Sequence, residues 1–258
     1  MTDILLRRDN EAIATLTLNR PDARNALSIG LMDALDSELA AIAEDPSVRV
    51  VILAANGPAF CAGHDLRELR ATPKREAYEQ VFALCSRLMQ LIIHLPKPVI
   101  AQVQGVATAA GCQLVASADL AVAAESARFA TPGVNIGLFC STPMVALTRA
   151  VGRKAAMEML LTGDLIPATR AREIGLVNRV VPDADLAAAT QALARQIADK
   201  SPLTVAIGKE AFYRQAEMDL GDAYAYAAEV MTRNMLARDA AEGIDAFLGK
   251  RAPVWTGT

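Results

Sequence analysis

Paired cysteines, a surplus of cationic residues and long apolar runs are all missing from this chain of 258 residues. Cys61, Cys85, Cys112 and Cys140 form no Cys-x-x-Cys pair and have no histidine at zinc-type spacing. Neither a disulfide framework nor a metal site is expected, and scattered thiols of this kind fit a reducing compartment. A formal net charge of -3 supplies no basic field for nucleic acid. No stretch approaches the roughly 18 uninterrupted apolar residues of a membrane span, so none is expected. Met1 to Asn10 mixes charges with short apolar stretches and has no signal-type core. It reads as a mature N-terminus, and the expected location is cytoplasmic.

What is present is apolar content, 53% of the chain, enough to bury a sizeable core and to exclude a disordered protein. Residues 11 to 18 alternate around Ile13, Thr15 and Thr17, while 48 to 54 and 98 to 103 are nearly continuous apolar runs, the pattern of buried strands. Ser28 precedes an amphipathic stretch ending near Ala43. From Lys74 to His94, Tyr78, Val81, Phe82, Cys85, Leu88, Met89 and Ile92 recur at helical spacing. Strands alternating with helices predict an α/β architecture. After Pro182 helix formers take over, in segments 185–200, 202–218, 222–236 and 239–248 separated at Ser201-Pro202, Gly221 and Arg238. The faces carrying Leu203, Ile207, Phe212, Tyr224, Met231 and Met235 offer more apolar surface than one protomer covers. No fixed-period repeat or low-complexity linker is visible.

Two glycine-bearing segments carry the chemistry. Phe60-Cys61-Ala62-Gly63-His64-Asp65-Leu66 follows the buried strand 48–54, and its Gly63 permits a tight turn that presents the N–H of His64. Gln104-Gly105-Val106-Ala107-Thr108-Ala109-Ala110-Gly111-Cys112-Gln113-Leu114 follows the next strand and opens a helix, whose free N–H groups favour an anion at Ala110. Two backbone donors aimed at one point make an oxyanion hole for a thioester oxygen becoming an enolate. Each segment alone equally fits a strand-to-helix turn. Together, in this order and at this separation, they are far more specific.

With these segments, and with Thr15-Leu16-Thr17-Leu18-Asn19-Arg20-Pro21 and Glu242-Gly243-Ile244-Asp245-Ala246-Phe247-Leu248-Gly249-Lys250-Arg251, the chain resembles the crotonase, or enoyl-CoA hydratase/isomerase, superfamily over almost its whole length. The resemblance implies an α/β fold: a crotonase-type ββα spiral core over 1–198 and a C-terminal helical trimerisation region over 199–258. A homotrimer or hexamer is implied, with lyase or isomerase chemistry on acyl-CoA in fatty acid metabolism. Coenzyme A then enters as part of the substrate and no cofactor is bound permanently. The oxyanion donors fall on His64 and Ala110, and coenzyme A contacts on Arg24, Ala62, Asp65 and Leu66. Phe247 and Lys250 match residues that reach a neighbouring subunit's coenzyme A.

Residue chemistry leaves plainer readings beside several of these roles. Arg24, in a Pro-Asp-Ala-Arg-Asn loop, suits a phosphate or plain solvent. Lys250 also fits the dipole at a helix end, and Asp65 an Asx-type turn. The two glutamates used by the family's hydratases fall on Gln113 and Gly133, and a third carboxylate position, used by dienoyl isomerases and dehalogenases, falls on Ser141. Gln orients water without exchanging protons near neutral pH, and Gly supplies nothing, so ordinary hydration is expected to be very slow.

Candidates for a replacement group are Glu68, Glu76 and Glu79, which at their spacing also fit a solvated helix face, the His64 side chain, and Cys112 and Cys140, which also fit core thiols. Ser141 and Thr142 before Pro143 read as a helix cap with proline at the first helical position. The stretch 131–143 most resembles one subgroup of the superfamily, named for its fold rather than for demonstrated chemistry. The expected protein stabilises a thioester enolate. The alternatives are a non-catalytic acyl-CoA binder, a base-independent reaction such as decarboxylation of a malonyl-type thioester, or hydration by a displaced carboxylate.

Overall fold

β-Branched and aliphatic runs place the long strands, and a computed structural model, which describes residues 3–258, shows how they stack. β1 (Leu5–Asn10) and β2 (Ile13–Leu18) form an antiparallel hairpin, followed by α1 (Ile29–Glu44), whose Ser28 hydroxyl caps Leu31 N–H. Then come β3 (Val50–Ala55), β4 (Ala59–Cys61), the short α2 (Leu66–Ala71) and α3 (Arg75–His94). β5 (Val99–Val103), β6 (Val106–Thr108) and α4 (Ala110–Ser117) repeat the pattern. So do β7 (Leu120–Ala124), β8 (Arg128–Ala130) and α5 (Ser141–Ala150), with α6 (Arg153–Thr162), β9 (Ile166–Pro167), α7 (Ala168–Glu173) and β10 (Arg179–Val181) after them. α8 (Leu186–Ala198), α9 (Pro202–Gln215), α10 (Leu220–Met235) and α11 (Arg238–Leu248) complete the chain.

Each turn of the spiral lays one long strand in a six-stranded sheet, ordered β1-β2-β3-β5-β7-β10, and one short strand in a second sheet, ordered β4-β6-β8-β9. Neighbours from β2 to β10 run parallel, with Ile13 beside Val50, Val51 beside Val99 and Ile100 beside Leu120. Both faces of this sheet are covered, which is why 48–54 reads as a continuous apolar run rather than an alternating one. The expected ββα spiral is the observed fold. Its repeat escapes the sequence because the helical leg ranges from the 8 residues of α4 to the 20 of α3.

α8 packs on β3, β5 and β7 of the large sheet, while α9, α10 and α11 pack chiefly on one another. Three local expectations change, all at helix starts. Gly221 lies in the first turn of α10 rather than at a break, and Arg238 opens α11. Cys140 occupies the cap of α5, so Ser141 is its first residue and Pro143 its third. The exposed Ser141 hydroxyl donates to Phe139 O at 3.3 Å. A proline is tolerated anywhere in the first turn, where its missing N–H has no helical partner, so its presence does not locate the cap.

Candidate functional site

The two glycine-bearing segments lie against each other because glycine lets their backbones touch. A Cβ on Gly105 would sit 2.2 Å from Pro58 O, and one on Gly111 would sit 2.0 Å from Cys61 O. Only a missing side chain permits that approach. Gln104 Nε2 donates to Gly57 O and Ala59 O, both at 3.1 Å, and Thr108 Oγ1 donates to Ala62 O at 3.2 Å. β4 carries a register irregularity between Ala59 and Cys61 against β6, the kind of bulge that re-aims a strand end.

Gly63 has φ +99°, and a Cβ there would meet Ala109 Cβ at 2.9 Å and approach Ala110 N to 3.5 Å. The peptide leading into His64 therefore runs beside the start of α4. On its other side Leu27 N donates to Gly63 O and Asp65 N donates to Leu27 O, so the turn is held in a two-residue bridge. Neither His64 N–H nor Ala110 N–H finds an acceptor among the described residues. Ala109, just before the second donor, has φ +51° and ψ -119°, a conformation that costs an L-residue on the order of 1–3 kcal/mol. Its N–H donates to Ala130 O at 3.0 Å, and its carbonyl accepts Gln113 N–H at 3.0 Å. These two bonds hold the strained residue in place.

The His64 imidazole packs edge-on to Phe82, ring centroids 5.6 Å apart, with both ring nitrogens buried and unpartnered among the described residues. Burial lowers its pKa, against a smaller upward pull from the Leu27 backbone, so the ring is neutral at pH 7. Burial pushes the Cys61, Cys85 and Cys112 thiols up to about 12 and raises Cys140, which leaves all four protonated at neutral pH. Thiolate chemistry is therefore not offered by Cys112 or Cys140.

Two positions before each donor, Ala62 and Thr108 line a cavity of about 540 Å³ together with Arg24, Pro132, Asn135 and Leu165. Arg24 and Ala62 thus share one wall, although 38 positions separate them in the chain. Arg24 and Asn25 are both left-handed, at φ +50° and +52°. The buried Asn25 fastens this loop by accepting Arg20 N–H and donating to Asn56 O and Ala59 O, each at 2.8 Å. Asp65 faces inward. Burial would raise its pKa, but Arg20 at 3.0 Å and the Arg67 N–H outweigh that and hold it below the usual carboxylate range. Leu66 opens α2 half-exposed, Phe247 is 83% exposed on α11, and Lys250 follows that helix at φ +52°. None of Asp65, Leu66, Phe247 and Lys250 lines either cavity in the single chain.

α3, α4, α5 and α9 line a larger, solvent-open cavity of about 920 Å³ whose wall includes Gln113. Gln113 is buried, and its Oε1 accepts the Cys85 thiol at 3.9 Å. Gly133 is enclosed: a Cβ there would lie 2.6 Å from Leu138 O and 2.9 Å from Cys140 Sγ. Leu138 N–H donates to Gly133 O at 2.9 Å, closing the loop over it. No glutamate fits at 133 with this loop in place.

The three carboxylates considered as substitutes lie elsewhere. Glu68 accepts Ile29 N–H at 2.9 Å and so caps α1, Glu79 pairs with Arg75 at 2.7 Å, and Glu76 is exposed on the first turn of α3. None lines a cavity.

One buried charged cluster carries no sequence motif. Lys209 Nζ donates to Ile92 O at 2.9 Å, Lys97 O at 3.0 Å and Asp119 Oδ2 at 2.7 Å, while Tyr213 Oη donates to Asp119 Oδ1 at 3.0 Å. Lys209 and Tyr213 stand four residues apart on α9, spacing that places both on one helix face and was the available signal.

Comparison with known proteins agrees with the resemblance. A family model described as enoyl-CoA hydratase/isomerase matches residues 8–258. Human enoyl-CoA hydratase domain-containing protein 3, mitochondrial, is 49% identical over 249 residues, covering 96% of this chain and 82% of that protein. The protein of the same name from Xenopus laevis is 49% identical over 255 residues, covering 99% and 87%. The subgroup resembled by residues 131–143 is the one that carries this name. Among solved structures, an enoyl-CoA hydratase of Mycobacterium smegmatis superposes with TM-score 0.96 at 56% identity, covering 98% and 99% of the two chains. Human enoyl-CoA hydratase domain-containing protein 3 gives 0.96 at 48%, covering 98% and 100%. The relatives named mitochondrial overturn the expected cytoplasmic location. Reduced, scattered thiols report a reducing environment and carry no address.

Proposed function

The chain belongs to the enoyl-CoA hydratase/isomerase family, and from that premise we propose that it binds an acyl-CoA thioester and holds the thioester oxygen between the N–H groups of His64 and Ala110. The observation that carries this reading is the pair of unclaimed donors, on backbones pressed together through Gly63 and Gly111, with their sequence neighbours Ala62 and Thr108 lining one cavity and Gln113 another. An oxyanion donor is worth about 2.7–4 kcal/mol of transition-state stabilisation. Strain stored at Ala109 supports the same reading, since a backbone held against its preference is a familiar way to preset a donor.

Coenzyme A lies along the smaller cavity in this proposal, with Arg24 positioned for a phosphate and Ala62 close to the pantetheine. Asp65 keeps the turn through Arg20 rather than meeting the ligand. Leu66, exposed at the start of α2, contacts the coenzyme A of its own chain, and Phe247 and Lys250 reach that of a neighbouring subunit in an oligomer. A homotrimer or hexamer built on α9–α11 would cover Phe212, Tyr224, Met231 and Met235, all exposed in the single chain.

At the positions of the family's carboxylates stand Gln113, Gly133 and Ser141, so acid–base help of about 10²- to 10⁴-fold per group is lacking. Reactions that need no base gain most from this site. In decarboxylation of a malonyl-type thioester the breaking C–C bond delivers its electron pair as carbon dioxide leaves, and the two N–H groups stabilise the enolate. A second reading, a non-catalytic acyl-CoA binder, is favoured by the closed loop over Gly133.

Crotonyl-CoA tests the proposal: binding is followed calorimetrically, and loss of the conjugated enoyl thioester by absorbance, in one sample. Binding with hydration near the uncatalysed rate is expected, and turnover of malonyl-CoA then separates the base-independent enzyme from the pure binder. Rapid hydration of crotonyl-CoA would overturn the assignment of Gln113 and Gly133, and absence of binding would overturn the ligand.

A further inference from the structure

From the larger cavity and the buried ion pair behind it, we propose that this protein selects thioesters of long acyl chains, and that Tyr213 and Lys209 are positioning residues that hold α9 as the wall of the acyl site. The proposal rests on the acyl-CoA reading above and goes beyond it to the class of acyl group.

Continuity comes first. Ala110, the second oxyanion donor, and Gln113 lie within one turn of α4, and Gln113 and Ser117 both line the 920 Å³ cavity. An acyl chain leaving the thioester carbon past Gln113 enters this space. Its walls there are Met89 and Ile93 of α3, Val145 and Ala146 of α5, and Ala206 and Ile207 of α9, a lining suited to hydrocarbon. The charged side chains in the lining, Arg149 paired with Glu217 at 2.9 Å among them, are solvent-exposed.

Length follows from the helix that runs along the cavity. Its α3 wall extends from Ser86 to His94, about 12 Å at 1.5 Å per residue. An extended chain advances about 1.2 Å per bond, because the three backbone bonds of a residue span about 3.5 Å. The wall therefore accommodates about ten carbon–carbon bonds, well beyond a butyryl or crotonyl group.

What keeps the space open is the attachment of α9. Lys209 joins α9 to the end of α3 and to the segment before β5 through Ile92 O and Lys97 O, and Asp119 at the start of β7 accepts from both Lys209 and Tyr213. Asp119 also accepts Val99 N–H at 2.7 Å. Tyr213 is itself in the cavity wall. One cluster thus sets the distance between α9 and α3, the two helices across which an acyl chain would lie.

The test measures dissociation constants of acetyl-, butyryl-, octanoyl- and dodecanoyl-CoA on the intact protein, for the wild type, Ala206→Trp, Tyr213→Phe and Tyr213→Ala. Wild type is expected to tighten with length, dodecanoyl-CoA binding about 100-fold or more tighter than butyryl-CoA, since each buried methylene strengthens binding. Ala206→Trp fills the cavity and collapses that ratio toward one. Tyr213→Ala lowers the ratio about tenfold or more, and Tyr213→Phe, which keeps the ring, recovers part of the loss. Circular dichroism confirms that each variant is folded. Length-independent binding in the wild type, or an unchanged ratio in Ala206→Trp, overturns the proposal while acetyl-CoA binding still upholds the ligand class. No binding of any thioester overturns both.

Discussion

Replacing Lys209 by Met removes the cation from a cluster in which every partner is otherwise satisfied. The Lys209 side chain is 6% exposed and that of Asp119 15%. Burial lowers the lysine pKa and raises that of the aspartate, each against the pull of its partner, so each charge is tolerated because of the other. Breaking one side of such a pair costs about 3–5 kcal/mol, because a buried charge is left uncompensated. Asp119 keeps donors from Val99 N–H and Tyr213 Oη, which places the expected loss toward the lower part of that range.

The loss depends on pH with a definite sign. An aspartate whose folded pKa is raised contributes stability below its unfolded pKa of 3.8 and loses it as pH rises through the folded value. Removing the lysine raises that folded value further. The deficit of Lys209→Met relative to wild type is therefore largest at pH 7 and shrinks toward pH 4.5. The double variant Lys209→Met with Asp119→Asn regains part of the loss, since no buried charge remains. Urea unfolding at fixed protomer concentration measures all three proteins, because oligomerisation would otherwise shift the midpoint. A deficit under about 1 kcal/mol that does not vary with pH would refute the reasoning.

Ala109→Gly is expected to leave stability unchanged or raise it by about 1 kcal/mol, the reverse of the usual Ala-to-Gly penalty, because glycine adopts φ +51° without strain. Thermal unfolding checks this, and a clear loss would show that Ala109 is not strained. Gly133→Glu is expected to destabilise by about 1–3 kcal/mol through collision with Leu138 O and Cys140 Sγ, and to leave crotonyl-CoA hydration near the uncatalysed rate even beside Gln113→Glu. A continuous hydration assay on the double variant decides it. His64, its pKa lowered by burial, makes the folded state bind a proton less readily than the unfolded chain. Its contribution to stability therefore falls as pH drops below 6.5 toward the folded value, and His64→Asn flattens that part of a stability–pH curve.

Much of the local structure was legible because the sequence states it in short-range terms. Ser28 as the cap of α1, α3 ending at His94, and β5 within residues 98–103 each rest on patterns spanning one element. The hairpin partner β1 and the short second sheet were not seen. Its strands β4, β6 and β8 have three residues each, too few to show a period. Charges on Glu68 and Glu79 looked available only because their partners, Ile29 N–H and Arg75, are fixed by packing or by a chosen rotamer. Lys209 meets carbonyls more than 100 positions away, a contact that no local pattern announces.

The sequence by itself determined the alternation of buried strands and helices, the place of both glycine-bearing segments, and the absence of carboxylates at Gln113, Gly133 and Ser141. These are properties of residue type and local order. Tertiary structure alone decided which backbones touch. Gly63 meets Ala109 and Gly111 meets Cys61 because successive turns of the spiral bring distant short strands side by side. It likewise decided that Gly133 is closed over by its own loop, and that α9, tied down through Lys209, walls a cavity beside Gln113. Contacts between residues far apart in sequence depend on how the elements stack, and no local pattern of side chains encodes that stacking.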